Sequence, residues 1–143
     1  MQTMTGSSLY ENLQREGLEG RELEASVLSR AAQKLARCKA RWEAKKEYKE
    51  MLNEALRYNQ KLWSFFQVEL SNPANPLPEA LRADLLRLSH FIDQKTFALF
   101  AGGDIADLDG IIRINRRIAS GLLEGQRTPD ESAVESQELN LTA

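Results

Sequence analysis

Two side chains come first, because each is the single member of its reactive class in the chain: Cys38 and His90. A thiol beside an imidazole can act as a nucleophile with its base, but only in an electropositive, accessible setting. Both residues fall on apolar faces of helical patterns, where a small hydrophobe and a packed imidazole are the plainer readings. Neither stands in a metal-ligand spacing such as a pair of cysteines two to four apart. Ala101-Gly102-Gly103-Asp104 precedes a helical pattern and could offer backbone amides to an anion, yet Asp104 would repel it. A helix stop followed by a cap fits these four residues better. Glu11, Glu16, Glu19, Glu22 and Glu24 flank arginines and read as a solvated surface. No catalytic, cofactor-binding or metal-binding constellation emerges, so no cofactor is expected.

Binding chemistry is better represented. Arg37, Lys39, Arg41, Lys45, Lys46 and Lys49 form a basic run opposed locally by Glu43 and Glu47. Such a run could hold RNA phosphates, with Trp42 and Tyr48 offered for stacking. The alternative is a lysine-rich turn with a solvated helix face. Asn59 and Asn115 each interrupt an apolar stripe. A buried amide must find partners, since each unmet group costs about 1–3 kcal/mol. Each could bond a nearby backbone, or grip the backbone of an inserted peptide.

The elements that must position these residues are helical, and no strand pattern is convincing. Ser8-Leu9-Tyr10-Glu11-Asn12-Leu13 could make one or two turns before Gly17 and Gly20. A first full helix should begin near Arg21, with Leu23, Val27, Ala31, Leu35 and Cys38 on one face. No glycine or proline occurs between Gly20 and Pro73. One helix over that span would reach about 75 Å, too long for a small domain. Its stripe also loses register at Lys45, Lys46 and Lys49, which places a reversal within residues 39–47.

A second helix is expected from Glu47 to Leu70, with Tyr48, Met51, Leu52, Ala55, Leu56, Leu62, Trp63 and Phe66 inward. Pro73, Pro76 and Pro78 end it, and a third helix runs from there to Gly102-Gly103. That third helix carries one stripe through Leu81, Leu85, Leu88, Ile92 and Leu99. A second passes through Ala83, Leu86, His90 and Phe97, with Phe91 and Phe100 between them. A helix apolar around so much of its circumference is either central in a bundle or carries an open groove. A fourth helix starts at Asp104 as N-cap, presents Leu108, Ile111, Ile112, Ile114, Ile118, Leu122 and Leu123, and could end at Gly125. From Gln126 the chain turns acidic and polar, which predicts a disordered tail.

The fold class is therefore all-α: an antiparallel bundle of four main helices, with a short N-terminal helical segment and a disordered acidic C-terminal tail. The expected division is a single domain over residues 1–125 and a tail over 126–143. A length of 143 residues, 42% apolar and 28% charged, suits one soluble domain. The formal charge of −2 argues against general nucleic-acid binding. No secretory leader or membrane span is visible, so a cytoplasmic location and no membrane partner are expected. Helices two to four carry more apolar surface than one stripe each requires. A thick bundle would absorb it; otherwise it lines a partner groove, for which the candidates are Tyr58, Leu62, Trp63, Phe66, Leu77, Phe91, Phe97, Ile111, Ile114 and Leu122.

Several short motifs in order resemble one family. Leu9-Tyr10 is similar to its tyrosine entry, and Arg21-Glu22-Leu23-Glu24 to the charged opening of its first long helix. Ala55-Leu56-Arg57-Tyr58-Asn59-Gln60-Lys61-Leu62-Trp63 resembles its alanine-leucine, asparagine, basic, leucine-tryptophan pattern. Asn75-Pro76-Leu77-Pro78 follows as its asparagine-x-leucine-proline turn, and Leu86-Arg87-Leu88-Ser89 lies in the third helix. Ile111-Ile112-Arg113-Ile114-Asn115-Arg116 and Gly121-Leu122 resemble its isoleucine-asparagine-arginine and glycine-leucine end. From about Leu9 to Leu122 the chain thus looks like FlaF, the flagellar biosynthesis regulators of alphaproteobacteria. Residues 39–47 depart from the family by looking more continuously helical.

The resemblance implies a non-enzymatic cytoplasmic protein of flagellum assembly. It implies action on flagellin production in opposition to the FlbT translational repressor, and a secretion-chaperone role for flagellin. The expected partner is then flagellin through its terminal helices, with a FlbT-like regulator as a further candidate. The alternative is a post-transcriptional regulator that contacts flagellin mRNA through the basic run.

Overall fold

The computed structural model describes residues 20–43 and 45–124. The short segment expected at residues 8–13, the stop at Gly125 and the tail from Gln126 lie outside the described residues. Four α-helices follow one another: α1 (Gly20–Ala40), α2 (Lys46–Ser71), α3 (Glu79–Phe100) and α4 (Leu108–Glu124). A single 3-10 turn, Ile105–Asp107, leads into α4. No strand occurs among the described residues. None of the described helices is long and apolar enough to cross a membrane.

The reversal falls within residues 39–47, as the loss of register implied. Lysines and a glutamate at the turn have nothing to bury, so α1 ends at Ala40 without glycine or proline. Trp42 remains packed against the core and pins the chain as it turns. At the opposite end, two asparagines build the proline-rich connection. Asn72 Oδ1 accepts from the Ala74 amide at 2.9 Å, and Asn75 Oδ1 from the Leu77 amide at 3.0 Å. Asn75 Nδ2 donates back to the Glu69 carbonyl at 3.0 Å, satisfying the end of α2.

Asp104 caps as expected, but what it opens is the 3-10 turn: its side chain accepts from the Ala106 amide at 2.9 Å. The α-helix proper begins four residues later, at Leu108.

Neighbouring helices run antiparallel. Lys34 lies over the Tyr58 ring between α1 and α2, and Gln67 Nε2 donates to Asp93 Oδ2 at 2.9 Å between α2 and α3. Lys39 pairs with Asp109 between α1 and α4. The core centres on α1, which buries Leu23, Val27, Leu28 and Leu35 together with Ala25, Ala31 and Ala32. Those alanines keep α1 thin, and its most extensive packing is against α4.

The third helix is not central. It buries only Ser89, Ile92, Thr96 and Leu99. Two of these four are polar and turn back onto their own helix: Ser89 Oγ donates to the Leu86 carbonyl and Thr96 Oγ1 to the Ile92 carbonyl, both at 2.7 Å. Such a stripe offers little apolar area to the core, so α3 sits at the edge, mainly against α2.

Candidate partner-binding seam between α3 and α4

Edge packing leaves α3 with far less contact to α4 than to α2, and part of that contact lies where α4 begins. There the Phe91 ring lies over Gly110, 3.6 Å from where a Cβ would stand, and Lys95 faces Asp107 at 3.6 Å. These two contacts set an antiparallel register. From them Leu88, Leu85 and Leu81 lie towards the start of α3, and Ile114, Ile118 and Leu122 towards the end of α4.

Along α3 the inward stripe loses cover step by step from that end. Leu99 and Ile92 are buried, Leu88 and Leu85 are half-buried, and Leu81 is 44% exposed. On the facing side Ile114, Ile118 and Leu122 are also only half-buried. An apolar seam therefore opens from Phe91 towards the proline-rich turn, where half-buried Leu77 lies. Partly covered aliphatic side chains on two helices are the kind of surface that the apolar face of a third can pack against.

The groove residues expected from sequence divide accordingly. Ile114 and Leu122 line the seam, Leu77 lies at its open end and Phe91 closes the other. Leu62, Trp63 and Ile111 are corrections: they are at most 2% exposed and belong to the core, beyond the reach of a partner. Their stripe position was that of any well-packed helix face. Phe66 meets the edge of Trp63 at 5.8 Å between ring centroids, and Tyr58 lies beneath Lys34 on the α1–α2 side. Phe97 is 59% exposed, but its helix phase carries it to the flank of α3 away from α4. Leu81, Leu85, Leu88 and Ile118 read as ordinary core in the sequence. Their signal was the surplus of apolar stripes, which says that some face is open without saying which.

Asn59 and Asn115 take neither of the two roles considered for them. Both are fully buried and they bond each other: Asn115 Nδ2 donates to Asn59 Oδ1 at 2.6 Å. Trp63 Nε1 donates to Asn115 Oδ1 at 2.9 Å. This buried triad joins α2 to α4 across the core and fixes their register behind the seam.

The reactive pair is not assembled. Cys38 is buried on α1, and burial pushes its thiol up, opposite to what an activated nucleophile needs. His90 is exposed rather than packed, because its flank of α3 faces solvent. Among the described residues, no three His, Cys, Asp or Glu side chains could hold a metal ion.

The basic run is exposed at the α1–α2 turn: Arg37, Lys39, Arg41, Lys45, Lys46 and Lys49 all face solvent. Carboxylates answer two of them, Asp109 at Lys39 and Glu43 at Lys45. Trp42 and Tyr48 are half-buried, so neither ring stands free as a stacking platform. Glu24, expected on a solvated surface, is partly covered instead. Burial raises its carboxyl, Arg21 opposes that, and Glu69 adds to it.

Comparison with known proteins places the chain. A family model described as flagellar protein FlaF matches residues 7–122. The chain belongs to the FlaF family. The match takes in all of α1, α2, α3 and the connections between them, and α4 through Leu122, so every residue that lines the seam falls inside the family domain. No match was found among curated proteins or among solved structures. Family membership makes this a flagellar protein.

Proposed function

We propose that this FlaF-family protein binds unassembled flagellin as an export chaperone, holding an amphipathic flagellin helix in the seam between α3 and α4. The observation that carries the reading is the graded loss of cover along α3. Leu81, Leu85 and Leu88 share the stripe of buried Ile92 and Leu99 yet remain partly accessible, as do Ile114, Ile118 and Leu122 on α4. Apolar surface of this kind is what a filament subunit's own assembly helix offers, and covering both together prevents premature polymerisation.

A side chain fully buried on binding contributes about 1.5–3 kcal/mol. Leu81, with 44% left to bury, should supply about 1 kcal/mol, and a charge placed there adds a desolvation cost.

The test is titration of purified flagellin monomer with the full chain, followed by size exclusion and calorimetry. Wild type should form a stoichiometric complex. Leu81→Asp should weaken it tenfold or more while the helical circular dichroism stays intact. Phe97→Ser, outside the seam, should bind as wild type. Absence of any complex at micromolar concentration, or equal binding by Leu81→Asp, overturns the reading.

A further inference from the structure

Resting on the seam as flagellin's docking site, we infer that Arg117 is its specificity-determining residue, recognising a carboxylate beside the aliphatic stripe of the bound helix. Arg117 is one turn from Ile114 and adjacent to Ile118 on α4. Its side chain is half-buried, and its Nη1 is wholly out of solvent with no hydrogen-bond partner among the described residues. The other arginines of α4, Arg113 and Arg116, are exposed and carry no such penalty.

A guanidinium stays charged and offers five donors in a rigid fork, so it cannot relieve a missing partner by losing a proton. Four aspartates on α3, on α4 and on the turn between them are held elsewhere: Asp84 by Arg87 at 3.0 Å, Asp93 by Gln67, Asp107 by Lys95 and Asp109 by Lys39. The unmet donor is therefore a standing cost of the free protein, relieved by an acceptor that arrives with the partner. A carboxylate supplies the strongest such bond, in a setting already partly dehydrated by the seam. The partner chemistry is thus a helix with aliphatic residues at three- and four-residue steps and an Asp or Glu on the flank that meets Arg117. A wholly basic or neutral amphipathic helix would fill the seam but leave this donor unmet.

The test is calorimetric titration of the full chain with flagellin monomer at low and high salt, comparing wild type, Arg117→Gln, Arg117→Lys and Arg116→Gln. A hydrogen bond to a charged group predicts that Arg117→Gln binds roughly ten- to hundredfold more weakly. Most of the salt dependence should go with it. Arg117→Lys should recover part of the affinity, and Arg116→Gln should match wild type. The free Arg117→Gln protein should unfold at equal or higher urea concentration, because an unpaired buried donor has been removed. Unchanged flagellin affinity in Arg117→Gln overturns this inference while leaving the seam reading intact, provided Leu81→Asp still weakens binding. Loss of fold stability in parallel with affinity also overturns it, by making Arg117 structural. Indifference to Leu81→Asp overturns the seam reading itself.

Discussion

Replacing Asn115 by alanine should damage the fold far more than the size of the side chain suggests. Asn115 is fully buried, accepts from Trp63 Nε1 and donates to Asn59 Oδ1. Its removal strands one donor and one acceptor in the core between α2 and α4. At about 1–3 kcal/mol for each unmet group, the loss lies at about 2–6 kcal/mol. The lower half of that range is expected, because the vacated volume can admit a water that bridges Trp63 and Asn59. Against a typical total of about 5–15 kcal/mol, even the lower half is a large fraction.

The assay is urea denaturation followed by circular dichroism, which reads helix content without relying on tryptophan. Trp63→Phe measured alone and together with Asn115→Ala completes a double-mutant cycle, with an expected coupling of about 1–3 kcal/mol. Replacing all three polar members, as Asn59→Leu, Asn115→Leu and Trp63→Phe together, should recover much of the stability, since no stranded group remains. A cost below about 0.5 kcal/mol for Asn115→Ala, or no coupling to Trp63, would refute the reasoning, because a surface-like response means the triad is not carrying its hydrogen bonds in the dark.

Three further outcomes follow from other parts of the molecule. Gly103→Ala puts a Cβ 2.7 Å from the Ala98 carbonyl oxygen, a backbone atom that cannot swing aside. It should cost about 1–3 kcal/mol in the same urea assay, and a neutral result would mean the α3–α4 connection is looser than described. Glu24 has its carboxyl raised by burial and by Glu69, so its proton is held more tightly in the folded chain than in the unfolded one. Stability from this group is full below the ordinary carboxylate range and is lost as pH rises through its raised value. Glu24→Gln should therefore stabilise at neutral pH, with the gain vanishing in acid; a gain that grows on acidification contradicts the assignment. Cys38, buried with its thiol pushed up, should resist a thiol reagent at pH 8 until urea unfolds the chain. Rapid labelling of the native protein would mean that the α1–α2 end opens.

Much of the fold was legible because helical periodicity records burial directly. The α1–α2 reversal could be located without glycine or proline, since three lysines cannot continue a buried stripe. The limits of α2 and α3 followed from Pro73, Pro76 and Pro78. What could not be read was which stripe of α3 meets the core. Leu81, Leu85 and Leu88 share a face with buried Ile92 and Leu99, and only tertiary packing shows the cover running out along that face. Trp63 was misassigned to the groove for the same reason: an apolar aromatic on a stripe looks alike whether its neighbour is the core or an empty site. The two asparagines were recognised as buried amides, but their bonding to each other depends on α2 and α4 facing across the core, which spacing within either helix cannot disclose.

The central claim is that the α3–α4 seam holds a flagellin helix, and hydrogen exchange on the complex addresses it most directly. Flagellin monomer is added to the full chain and amide protection is compared with and without it. The account predicts new protection in the first half of α3, around Leu81 to Leu88, and in α4 from Ile114 to Leu122, with little change around the α1–α2 turn. Protection confined to residues 37–49, or none anywhere despite a complex, would contradict it.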